Sequence, residues 1–119
     1  MRRIATLTRT VLLPTGLSMT LGLGLAHGQE PFRIALTIRA HRFVPAELRV
    51  PAGRPVTIDL TNEDPTAEEF DSTDLGVEKV VAGGRQTPVR LRPLAPGRYA
   101  FMGEFNAETA QGVVIAEPP

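Results

Sequence analysis

The chain has 119 residues, with 13 Lys and Arg against 13 Asp and Glu, and no Cys. That is enough for one small domain. Its charge lacks the basic excess of a nucleic-acid binder, and without thiols it forms neither a disulfide nor a thiolate metal site.

The first residues have the pattern of an export signal. Arg2, Arg3 and Arg9 make a basic start, "VLLPTGLSMTLGLGLA" is an apolar run, and the small residues Ala26 and Gly28 suit a signal peptidase. Residues 1–28 are expected to be a signal peptide cut after Gly28, leaving a periplasmic domain of residues 29–119 that is not itself transmembrane. The apolar run, broken by Pro14, falls short of the about 20 residues that span a bilayer. Taking Arg2, Arg3 and Arg9 from the 13 basic residues leaves 10 against 13 acidic ones, a charge of −3. His41 and Met102 are then the only histidine and methionine of the mature chain.

Alternation of apolar and polar residues dominates the chain beyond this segment. "FRIALTIR" sets Phe32, Ile34, Leu36 and Ile38 on one face. "ELRV" predicts a short strand ended by Pro51 to Gly53. "PVTIDLTN" alternates Val56, Ile58 and Leu60 with polar residues. A weaker strand, "VEKVVAGG", ends at a Gly83-Gly84 turn. "TPVRLRPL" points Val89 and Leu91 inward, "GRYAFMG" pairs Tyr99 with Phe101, and "GVVIAE" closes the domain. Helical turns are expected near "STDLGVE", capped by Ser72 or Thr73, and near "NAETAQG". The recurring turns predict an all-β, antiparallel Greek-key sandwich or barrel of about seven to eight strands. In "LAPGRY" a Pro-Gly turn precedes the chain's single Tyr, the pattern of a tyrosine corner.

Six carboxylates lie between Glu63 and Asp74 with no Lys or Arg among them, in the segment "EDPTAEEFDSTD". A run of charge is ordinarily a solvated face. A second segment, "GEFNAETAQG", repeats the Glu-Phe pair. If both are loops at one end of a sandwich, Glu68 or Glu69 meets Glu104. Carboxylates brought together repel, and a cation removes the penalty. Successive strand residues face opposite sides, so Glu68 and Glu69 do not share an ion if strand geometry persists there. Phe70 and Phe105 are expected to pack beneath the two loops. Met102 reads as a gap-filler or a soft ligand, and His41, a lone histidine, as a surface or packing residue.

The segments "FVPAELRVPAGRPVTIDLTNEDPTAEEFDS" and "LAPGRYAFMGEFNAETAQGVVIAE" together resemble the cupredoxin-like domain family, in particular its branch associated with bacterial iron uptake. The resemblance runs from about Phe43 to Glu117 and implies a Greek-key sandwich, a periplasmic or extracellular location and a metal site at one end. It also implies which positions hold copper in the blue-copper members, with two His, a Cys thiolate and an axial Met. The first His falls at Glu68, the Cys at about Gly103, the second His at Asn106, and the Met at Thr109 or Ala110. All four ligands are missing, so a blue, type-1 electron carrier is ruled out.

Oxygen donors remain. Glu68 and Glu104 are the expected metal ligands, with Glu69, Asp71 and Asn106 as further ligands or as groups that orient them. Carboxylates suit hard ions such as ferric iron, calcium and manganese, and copper(II) binds most donor sets well. The sequence therefore predicts a periplasmic accessory protein that binds iron or copper and hands it to a membrane iron permease or another uptake component. Two alternatives stay open: a metal-free interaction module docking on a membrane transporter, and a subunit contributing to a ferroxidase. With one His and no Cys, no catalytic residue is assigned.

Overall fold

The computed structural model describes residues 3, 5, 6, 8, 10–13 and 30–119. Most of the expected signal segment, with its cleavage point after Gly28, lies outside the described residues. Among the described residues no helix is long and apolar enough to cross a membrane.

Two sheets stack face to face. One holds β1 (Phe32–Arg39), β2 (Arg42–Val44), β4 (Val56–Asn62) and β7 (Gln86–Leu91), in the order β2-β1-β4-β7. The other holds β3 (Glu47–Pro51), β5 (Glu68–Ser72), β6 (Val77–Val81), β8 (Gly97–Gly103) and β9 (Gln111–Glu117), in the order β3-β9-β8-β5-β6. Most connections cross from one sheet to the other, which makes the fold a sandwich rather than a meander.

All the strands but β2 and β5 form where the sequence pattern predicted them, because each sheet has one buried face. Leu36 and Ile38 of β1, Val56, Ile58 and Leu60 of β4, and Leu48 and Val50 of β3 are all buried. Burying one such side chain contributes about 1.5–3 kcal/mol. Phe43, Phe70 and Phe101 fill the middle, with Phe70 stacked on Phe101 at 4.8 Å between ring centres and Phe43 edge-on to Phe101 at 4.9 Å.

The arrangement corrects several expectations. There are nine strands among the described residues, not seven or eight. The sandwich is mixed rather than wholly antiparallel: β1 pairs with β4 in parallel, and β3 with β9. The sequence around Glu68 is not a loop but β5, hydrogen-bonded between β6 and β8. Phe105 is 53% exposed and packs beneath nothing. The helix expected at "STDLGVE" is a tight turn, with Ser72 Oγ accepting from the Leu75 N–H at 3.0 Å and the Gly76 N–H reaching the Thr73 carbonyl.

The tyrosine corner is present: the Tyr99 hydroxyl donates to the Ala95 carbonyl at 2.7 Å. A second tie holds the end of the sandwich nearest Glu68. Asp64 accepts the backbone N–H groups of Ala40 at 2.8 Å and His41 at 2.9 Å, residues with φ of 50° and 56° at the β1–β2 turn. The His41 N–H, and then the Ala40 N–H, hold the Asp64 carboxyl below the usual 3.8. Asn62 accepts from the Asp64 N–H at 3.0 Å and donates to the Thr66 carbonyl at 2.8 Å. The Asn62-x-Asp64 spacing thus shapes a turn.

Candidate metal centre

Alternation along β5 decides which side each acidic group faces. Glu68, Phe70 and Ser72 point into the sandwich and are buried; Glu69 and Asp71 point outward and are half-buried. The second acidic segment arrives from β8, whose last residue Gly103 pairs with Phe70. It continues as a single 3-10 turn, Glu104–Asn106. Residues distant in sequence therefore meet at one end of the sheet, on two opposite faces.

On the inner face lies Glu68, 1% exposed. Its Oε1 accepts the backbone N–H of Phe105 at 2.9 Å and of Glu69 at 3.0 Å. Its Oε2 accepts from Asn106 Nδ2 at 2.6 Å. The backbone at Gly103 lies against this carboxyl group: a Cβ there would stand 2.7 Å from Glu68 Cδ and 2.6 Å from the Ala110 Cβ. Only glycine permits so close an approach. The returning loop is held from its other side, where the Thr109 hydroxyl donates to the His41 carbonyl at 2.6 Å. The Gly103 N–H donates to Ala110 O, and the Ala110 N–H to Asn106 O, both at 2.8 Å.

On the outer face lie Glu69, Asp71 and Glu104. One carboxylate oxygen from each lies within 4.8 Å of the other two. None of the ion pairs among the described residues involves them. Burial holds the Glu69 carboxyl above its usual 4.5, and the neighbouring charges of Glu104, Glu78 and Asp71 push it the same way. Met102 stands beside Asp71 on the same face, 42% exposed. His41 and its half-exposed ring belong to the β1–β2 turn, with Nδ1 3.6 Å from an Asp64 oxygen.

The five carboxylate and amide residues singled out in the sequence thus divide into two sets. Glu68 and Asn106 come together inside; Glu69, Asp71 and Glu104 come together outside. Glu68 and Glu104 reach the same end of the molecule, but Glu68 is not one of the clustered oxygens. Strand alternation at Glu68 and Glu69 already pointed to this division. The hydrogen bonds that occupy Glu68 depend on how the second loop returns, which no local pattern records.

Comparison with known proteins agrees with the fold. The family model described as cupredoxin-like domain matches residues 12–116. The chain belongs to the cupredoxin-like domain family. An uncharacterized protein of Rickettsia prowazekii is 40% identical over 82 residues, which span 69% of this chain and 66% of that relative. Auracyanin A, a blue copper protein of Chloroflexus aurantiacus, superposes with a TM-score of 0.64 at 16% identity, over 74% of this chain and all of that one. The metal-binding domain of the Streptococcus pneumoniae Cu(I)-exporting P-type ATPase CopA, solved with Cu(I), gives 0.60 at 18% identity, over 71% of this chain and 84% of that one. At such identities the likeness is one of fold.

The cupredoxin-like family implies copper, and the positions at which the resemblance places its ligands lie near one another: Asn106 donates to Glu68, Gly103 packs against Glu68 and Ala110, and the Asn106 carbonyl accepts the N–H groups of both Thr109 and Ala110. Their chemistry does not fit the ion. They supply no sulfur and no imidazole. Both Glu68 oxygens already accept hydrogen bonds, Asn106 turns an amide N–H toward the centre, and the space beside Gly103 is filled by the Glu68 carboxyl group. No buried side-chain nitrogen or oxygen among the described residues lacks a partner.

Proposed function

We propose that this chain is an exported, cupredoxin-like accessory protein that binds a metal ion, iron or copper, as cargo on the outer face of its larger sheet and delivers it to a membrane transporter. The observation that carries this reading is the meeting of the Glu69, Asp71 and Glu104 oxygens without a basic partner among the described residues. Three carboxylates at such spacing repel one another, and a bound cation turns that repulsion into attraction. An all-oxygen donor set favours a hard ion, ferric iron above copper(I). The half-burial of Glu69 and Asp71 makes the site more than a solvated edge, since water screens their charges less. The basic, apolar N-terminal run supports export.

The test is a calorimetric titration with ferric citrate, Mn(II) and Cu(II), on the wild-type chain and on the variant Glu69→Gln, Asp71→Asn, Glu104→Gln. Expected is one ion per wild-type chain and loss of at least tenfold in affinity for the variant. Equal affinity in both proteins overturns the reading. Copper(II) binding alone carries little weight, because most donor sets favour that ion.

A second reading, the metal-free interaction module, is favoured by the apolar residues around the cluster. Val80 is 56% exposed, Met102 42% and Phe105 53%, and Val80 and Met102 lie directly across from Glu69 and Asp71. An acidic face with such anchors suits a basic partner surface. Complex formation that weakens with salt, and persists in the presence of a chelator, would favour this reading over cargo binding.

A further inference from the structure

We propose that the Glu68 carboxylate holds the place that a copper ion holds in the blue-copper members this chain resembles: it gathers the segments forming the inner end of the sandwich, closes it, and leaves it metal-free. The three groups that donate to it come from β5 itself, from the backbone of the 3-10 turn and from the Asn106 side chain. The last two lie 37 and 38 residues away in sequence, so one side chain fixes the return of the loop. A charged acceptor makes each of these bonds stronger than a neutral one would.

Glu68 is an expensive residue to bury, since a carboxylate loses its hydration. An apolar side chain there would leave the Phe105 N–H and the Asn106 amide facing it without an acceptor. A metal ligand at this point would need a lone pair aimed into open space. Here three of the carboxylate's about four lone pairs are committed to N–H groups, and the facing wall is the Gly103 backbone and the Ala110 methyl group. The remaining loop anchors, Thr109 to His41 and Gly103 with Ala110, do not involve Glu68. A variant at Glu68 therefore keeps the loop's far end tied and retains the fold.

Two measurements test this. The first is amide hydrogen exchange on the chelator-treated wild-type chain and on Glu68→Gln. The wild-type amide of Phe105 is expected to be protected without any metal. In the variant its exchange rises at least tenfold and the melting temperature falls by roughly 5–15 °C. The second adds Cu(II), or Cu(I) under reductant, to the variant Glu69→Gln, Asp71→Asn, Glu104→Gln, in which Glu68 is intact and the outer cluster is neutral. Expected are an unchanged melting temperature and unmoved Phe105 and Asn106 amide resonances. The proposal fails if Glu68→Gln leaves both exchange and melting as they were. It also fails if copper stabilises the neutralised variant and shifts those two resonances.

Discussion

Gly103→Ala puts the closed inner end to a quantitative test. The backbone at Gly103 has φ of −92° and ψ of 105°, a conformation open to any residue. Judged on backbone alone, the substitution should stabilise the protein by about 0.4–1 kcal/mol by restricting the unfolded chain. The packing predicts the reverse. The new methyl group would stand 2.6 Å from the Ala110 Cβ, 2.7 Å from Glu68 Cδ and 2.9 Å from Glu68 Oε1. Both neighbours are fully buried and neither is free to swing away. Overpacking of this kind costs about 1–3 kcal/mol. Displacing the Glu68 carboxyl group breaks at least one of its charge-assisted hydrogen bonds, adding about 1–3 kcal/mol. The sum is about 2–6 kcal/mol, or a fall in melting temperature of roughly 10–30 °C for a domain of this size. Urea unfolding followed by circular dichroism reads it directly, with Gly53→Ala as the comparison. A Cβ at Gly53 would meet nothing within 4 Å beyond its chain neighbours, and only the φ of +74° opposes a side chain, at a cost of about 1–2 kcal/mol. If Gly103→Ala is neutral or stabilising, Glu68 is not wedged against the backbone and the closed inner end is wrong.

Three further outcomes rest on individual contacts. Tyr99→Phe removes the hydroxyl bond to Ala95 and should cost about 0.5–1.5 kcal/mol in urea unfolding, without changing metal affinity. Asp64→Asn should lose stability at neutral pH, because one amide oxygen replaces two carboxylate acceptors. The folded Asp64 carboxyl titrates below its unfolded 3.8, so its contribution is complete above 3.8 and lost as pH falls through the folded value. The wild-type and variant unfolding curves should therefore converge in strong acid. Glu69→Gln should do the opposite, raising the melting temperature of the metal-free protein at pH 7. The folded Glu69 carboxyl titrates above its unfolded 4.5, so the charged form disfavours the fold at higher pH, and the gain should vanish as pH drops below 4.5. Differential scanning calorimetry from roughly pH 2 to pH 8, a span that brackets the carboxylate titrations, checks both.

What the sequence disclosed depended on whether a local pattern carried the information. Phe32 to Ile38 and Val56 to Leu60 alternate cleanly, and those strands form where expected. The Pro-Gly turn before Tyr99 was enough to foresee the hydroxyl bond to Ala95. β5 was hidden because two of its inward positions, Glu68 and Ser72, are polar. Only Phe70 marked its buried face. β2, with three residues, is too short to show a period. The parallel pairings were equally hidden, since alternation reports which face is buried and not which neighbour a strand takes. At the candidate site the residue types were legible and the grouping was not. Alternation separated Glu68 from Glu69, but the choice of which one joins Glu104 depends on the 3-10 turn. There the Phe105 N–H and the Asn106 amide turn inward to Glu68, while Glu104 and the ring of Phe105 remain outside.

The most direct test is a crystal of the wild-type chain soaked in Mn(II), a hard ion visible by its anomalous scattering. Cargo binding on the outer face predicts one anomalous peak, bounded by the carboxylates of Glu69, Asp71 and Glu104, with Glu68 still bonded to Asn106 and to the Phe105 N–H. A peak at Glu68 with the Asn106 amide swung aside would contradict it, and so would an empty outer cluster at full soaking.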